Sequence, residues 1–169
     1  MTSAPAVLRV GVTGHRKLGA DPRVGWHVHA ECVRVLDRLQ QLARYRAASL
    51  QAYSALAVGA DQLFAHAALG LGLPLVGIVP YAGYADDFDG GERADFERLL
   101  GLCAEVQRLP HGQKSNEAYF DGGKVIVDQV EYLVAVWDGL PSKGLGGTAD
   151  VVAYAAAKGR PVLRIDPTR

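Results

Sequence analysis

The chain has 169 residues, 49% of them hydrophobic and 21% charged, which describes one globular domain with its own core and excludes disorder. Lys plus Arg equals Asp plus Glu at 18 each, so no sequence-wide field draws the chain to nucleic acid or to an anionic membrane, and nucleic acid is disfavoured as a partner. Cys32 and Cys103 form no CxxC pair, "MTSAPAVLRV" is no signal peptide, and no apolar run approaches the ~20 residues of a membrane span, so a cytoplasmic protein without membrane contact is expected.

In chain order, Val7–Thr13 reads as a buried strand that runs into the polar turn Thr13-Gly14-His15-Arg16. Asp21-Pro22 supplies a helix cap and a first-turn proline. Val28, Cys32, Val35, Leu36, Leu39 and Leu42 then recur at helical spacing, which predicts a helix from about Pro22 to Arg44. Leu50–Val58 is strand-like, and Gly59-Ala60-Asp61 opens a helix closing near Gly70–Gly72. "LPLVGIVPY" is a third strand, ending at Pro80. Tyr81–Gly91 reads as a solvated acidic loop whose Tyr81 and Tyr84 are surface tyrosines, able at most to stack on a base. Glu92–Cys103 is helical, Glu105–Leu109 a short strand, and Ser115–Gln129 a helix loosened by Gly122-Gly123. "YLVAVWDG" is a fifth strand, "LPSKGLGG" a loop, Thr148–Lys158 a helix capped by Thr148, and Pro161–Ile165 the last strand. Apolar strands alternating with helical crossovers specify an α/β, Rossmann-like, doubly wound and mostly parallel sheet with helices on both faces, here one domain over residues 1–169.

Ligands of such sheets bind outside the carboxyl ends of the strands, so the strand-to-helix loops carry the candidates. Gly14 allows close backbone approach, and Arg16 offers a fork of donors for phosphate or carboxylate. Gly59 and Asp61 stand at a helix start, where capping and a ribose hydroxyl compete as explanations for the acid. Asp138 lies in Trp137-Asp138-Gly139, at the end of the fifth strand. Gly144, Gly146 and Gly147 precede Thr148 in what reads as an anion cradle, without the spacing of a P-loop. His27, His29, His66 and His111 form no metal set, no nucleophile elbow is present, and no cofactor is expected.

The segments "GVTGHRKLG", "VGADQLFAHAALGLGLPLVGIVP" and "YLVAVWDGLPSKGLGGTADVVAYAAAKGRPVL", in this order, resemble the SLOG superfamily, named from Smf/DprA and LOG-like proteins. The resemblance implies a Rossmann-like fold whose glycine-rich edge binds nucleotides or nucleotide-derived molecules, as a bacterial sensor or binding module. It implies ligand contacts for Thr13, Gly14, His15 and Arg16, for Gly59 and Asp61, and for Asp138, Gly146, Gly147 and Thr148. LOG enzymes are phosphoribohydrolases with a Pro-Gly-Gly-x-Gly-Thr-x-x-Glu pattern. Counted from Thr148, the glutamate position here is Val151, and Asp150 is turned away from it by about 100° of helix. The alternative reading is therefore an enzyme that hydrolyses or transfers an N-glycosidic bond, with Asp61 or Asp138 in place of that glutamate. Single-strand DNA binding ranks third, and a homo-oligomer is left open.

Overall fold

The computed structural model describes residues 3–169. Six strands alternate with five helices. β1 (Ala6–Gly14) leads to α1 (Pro22–Tyr45), β2 (Ala48–Ser54) to α2 (Ala60–Gly70), and β3 (Leu75–Val79) to α3 (Gly90–Leu102). β4 (Glu105–Arg108), α4 (Asn116–Gln129), β5 (Tyr132–Val136), α5 (Thr148–Ala157) and β6 (Val162–Ile165) complete the chain. The strands form one sheet in the order β4-β3-β2-β1-β5-β6, and every pairing is parallel. All strand-to-helix loops therefore open on the same edge. From β1 the chain winds outward through β2, β3 and β4, then returns to place β5 on the other side of β1. The direction of winding changes between β1 and β5, and this is the topological switch point.

Two apolar layers flank the sheet. One gathers Val10, Val12, Leu36, Phe64 and Leu99 beneath α1, α2 and α3. The other gathers Val76, Ile78, Ile126, Leu133 and Val151 beneath α4 and α5. α1 starts as its sequence dictates: the Asp21 side chain accepts from the Arg23 amide at 2.9 Å, and Pro22 follows it. α4 starts with Ser115 accepting from the Ala118 amide at 3.0 Å.

Three element assignments and one burial reading differ most from the sequence reading. β2 stops at Ser54 instead of Val58, because the Ser54 hydroxyl donates to the Asp61 carbonyl at 3.0 Å and accepts from the Leu56 amide at 3.1 Å. Leu56 turns to a φ of 59° and ends the extended run. α5 takes Gly147 at its cap, with Thr148 as its first helical residue. The capping is done from a distance: Ser142 Oγ accepts from the Asp150 amide at 3.2 Å, and Asp150 Oδ2 accepts from the Gly146 amide at 2.9 Å. The acidic loop after β3 contains a short 3-10 turn, Tyr84–Asp87. Tyr81 and Tyr84 are core residues and not surface tyrosines, each 3% exposed within an aromatic cluster with Phe88 and Phe96.

Candidate functional site

A cavity of about 950 Å³ opens at the switch point. Residues Val12 to Lys17 bring the end of β1 to it, and residues Trp137 to Ala149 bring the loop after β5. Ala55, Ala57 and Asp61 rise from below, Pro80 and Tyr84 close one side, and α4 supplies Asn116, Tyr119, Gly122, Gly123 and Ile126. Of the residues singled out from sequence, Thr13, Gly14, His15, Arg16, Asp61, Asp138, Gly146, Gly147 and Thr148 all line this one cavity.

Gly59 does not. It holds a φ of 89°, and a Cβ there would lie 2.6 Å from the carbonyl oxygen of His15 and against that of Arg16. The Ala60 amide donates to the His15 carbonyl at 3.1 Å. The start of α2 thus supports the His15-Arg16 turn from beneath, and only Gly fits the support.

Asp61 is 8% exposed, on the first turn of α2. Burial raises its carboxyl to about 7; the Arg16 charge and the Ala57 amide, at 3.4 Å from Oδ2, oppose that shift. It is a buried acid with one long hydrogen bond and an open side toward the cavity. Arg16 is exposed, and its guanidinium lies over the Tyr119 ring at 4.0 Å from the centroid. Among the described residues no carboxylate pairs with it, and its side-chain contact is with Tyr119.

Asp138 is the opposite kind of acid. Its carboxylate accepts from the Leu140 amide at 2.9 Å and lies 3.3 Å from His15 Nε2, and its own amide donates to that nitrogen at 3.1 Å. The Leu140 amide foremost holds this carboxyl below its ordinary range; desolvation opposes it, and His15 adds to the lowering. The Trp137 indole donates to the Leu140 carbonyl at 2.8 Å, so "WDG" builds a tight turn as well as lining the cavity. Beyond it, Gly146 holds a φ of 87° with Asn116 O only 2.7 Å from where a Cβ would sit. The Thr148 and Ala149 amides, at the first turn of α5, lack intrahelical partners by position, and both residues line the cavity.

At the LOG glutamate position, Val151 is buried and packs on Gly123, where a Cβ would come within 2.6 Å of Val151 Cγ2. Asp150 is engaged with the Gly146 amide. α4 brings residues that the sequence reading passed over. Gly122 and Gly123 let it approach Pro80 and α5, and Tyr119 reaches the cavity mouth. Lys114, just before α4, Lys17 after β1 and Lys143 after β5 join Arg16 around the opening.

No family model and no curated protein sequence matches the chain. Solved structures do. DNA processing protein A from Helicobacter pylori superposes with a TM-score of 0.63 at 13% identity, over 94% of this chain and 65% of that one. DprA from Streptococcus pneumoniae gives 0.65 at 18% identity, over 95% of this chain and 50% of that one. The chain has the Rossmann-like α/β fold of these DprA structures. TM1055, a LOG-like protein, shares that fold with a TM-score of 0.56 at 15% identity, over 92% of this chain and 72% of its own. The chain thus spans 65% of one DprA protein and half of the other.

The comparison overturns one expectation. The H. pylori protein is described for its single-stranded DNA binding mode, so nucleic acid is not excluded as a partner on this fold. The neutral total charge misled because it averages over the surface, whereas Arg16, Lys17, Lys114 and Lys143 are concentrated at one opening. None of the described helices is long and apolar enough to cross a membrane.

Proposed function

We propose that the cavity binds a nucleotide or nucleotide-derived ligand, and that the chain belongs to the SLOG superfamily as a binding or sensing module. One observation carries the reading: a single cavity at the β1–β5 switch point joins an unpaired guanidinium, a buried acid and the open amides at the start of a helix. Phosphate fits Arg16 and the amides of Thr148 and Ala149, the Gly146 amide being engaged by Asp150. Asp61, with acceptor oxygens and almost no partner, suits a ribose hydroxyl or an amino group of a base. Asp138 is committed to the Leu140 turn and to His15, and serves the wall. Apolar Ala55, Pro80, Ile126 and Val151 give the base a dry surface.

Two observations keep other readings in play. A carboxyl raised to about 7 inside the cavity can hold or move a proton, which suits the glycosidic-bond alternative with Asp61 as its acid. The cationic opening and the H. pylori protein suit a single strand entering by one nucleotide. Thermal shifts with AMP, ADP-ribose, a cyclic dinucleotide and a short single-stranded oligonucleotide, alongside an assay for released base, separate the three. A shift with a small nucleotide and no base release supports the module. No shift with any small nucleotide rejects it.

A further inference from the structure

Tyr119 has no place in the motifs read from the sequence, yet three elements converge on it. It stands on the first turns of α4, half-buried, and its hydroxyl donates to Asp87 Oδ2 at 2.5 Å. With that proton committed, the Tyr81 hydroxyl donates to Tyr119 at 3.1 Å. Asp87 is held in turn by Lys114 at 3.5 Å. The Tyr81 ring packs against the Tyr119 ring at 5.6 Å between centroids, and Tyr81 itself is buried against Tyr84 at 5.3 Å. The ring is therefore fixed through its hydroxyl and by an aromatic neighbour, and Arg16 lies 4.0 Å from its centroid.

We infer that Tyr119 is a positioning residue for the site, holding the Arg16 guanidinium at the cavity mouth by ring contact while leaving its charge uncancelled for the anionic group of the ligand. The proposal rests on the reading of Arg16 given above. A guanidinium binds anions through N–H groups in its plane, whereas an aromatic ring engages the face of that plane. Contact with the ring thus removes rotamer freedom from a long side chain without cancelling its charge. A carboxylate partner would fix Arg16 equally well but would occupy the fork and cancel its charge.

The test combines a ligand-free and a ligand-dependent measurement on the full chain. In the first, the side-chain N–H resonance of Arg16 is recorded by NMR for the wild type, Tyr119→Phe and Tyr119→Leu. An upfield ring-current shift is expected in the wild type and in Tyr119→Phe, and its loss in Tyr119→Leu. No upfield shift in the wild type overturns the inference, whatever binds. In the second, AMP is titrated into the same proteins, Arg16→Ala and the Arg16→Ala/Tyr119→Leu double variant. Tyr119→Leu should weaken AMP by about two- to fivefold, with Tyr119→Phe restoring it. In the Arg16→Ala background, Tyr119→Leu should change nothing further, because the ring acts through the guanidinium. An equal loss in both backgrounds would mean that Tyr119 touches the ligand directly, and would overturn the positioning role. Equal AMP affinity in the wild type and Arg16→Ala would instead reject the assignment of Arg16 to the ligand, while the resonance still decides the stacking.

Discussion

At the scale of single residues, the two acids of the cavity separate by environment. Asp61 is buried and Asp138 is in water, and their carboxyls move in opposite directions. The rise of Asp61 from 3.8 to about 7 has a consequence for stability. Between those values the folded chain holds a proton that the unfolded chain has released, so stability falls as pH rises through that window. About three units correspond to on the order of 4 kcal/mol lost by pH 8. Asp61→Asn keeps an acceptor for the Ala57 amide and removes the charge. Its denaturant midpoint should exceed that of the wild type at pH 8, and the decline between pH 5 and pH 8 should flatten. An unchanged decline in the variant would place its origin elsewhere. Arg16→Ala should leave the fold standing and cost roughly 1.5–3 kcal/mol of AMP binding, the value of a hydrogen bond to a charged group; isothermal titration reads it directly. Val151, buried on Gly123 where LOG enzymes carry glutamate, leads to the expectation of no appreciable release of adenine from AMP. Rapid release, abolished by Asp61→Asn, would reverse that reading.

At the scale of elements, the strands were legible because a parallel sheet covered on both faces demands continuous apolar runs, and "VLRVGVT", "LPLVGIV" and "YLVAV" are such runs. Their carboxyl ends pointed to Arg16, Asp61 and Asp138 because chain direction alone fixes that edge. The contribution of α4 was not legible. The cavity takes its far wall from the middle of a helix, and Tyr119 or Gly122 in a helical pattern looks like core or breakage until the helix is docked. The start of α5 was half legible. Its glycines were evident, but its cap comes from Ser142 and Asp150, whose partners depend on how the loop folds back. That changes what Gly147→Ala should do. The φ of Gly147 is −70°, so the backbone accepts a side chain, but the new carbon would sit 2.6 Å from Ser142 Oγ. Ser142 must move off the Asp150 amide, at a cost of about 1 kcal/mol. Gly146→Ala meets a φ of 87° and the backbone of Asn116 together, and should cost about 3 kcal/mol. Melting of the two ligand-free variants gives the order; equal stabilities would show that the loop yields freely.

At the scale of the molecule, a chain with zero net charge places four cations around one opening, beside Asp61 and Asp138, while many other acids are paired elsewhere. Asp21 pairs with Arg23, Glu31 with Arg34, Asp95 with Arg98 and Asp166 with Arg164, all away from the cavity. Exposed pairs of this kind contribute little to stability, but they neutralise the body of the surface. The field at the opening is then set by Arg16, Lys17, Lys114 and Lys143 against Asp138, with Lys114 further offset by Asp87. A small anionic ligand and a single strand would both meet this field, but they differ in how many phosphates they place in it. A mononucleotide places one group there, so its affinity should fall only gently with salt. A strand that engages about three of the cations should show a logarithmic salt slope near −2, from ~0.7 per phosphate on single strands. Lys143→Ala should lower that slope by about 0.7 and leave AMP affinity little changed. The measurement is fluorescence anisotropy of a labelled oligothymidylate across a salt series, beside AMP titrations in the same buffers. A steep slope unaffected by Lys143→Ala would move the strand to another face of the sheet and leave the cavity to the small ligand alone.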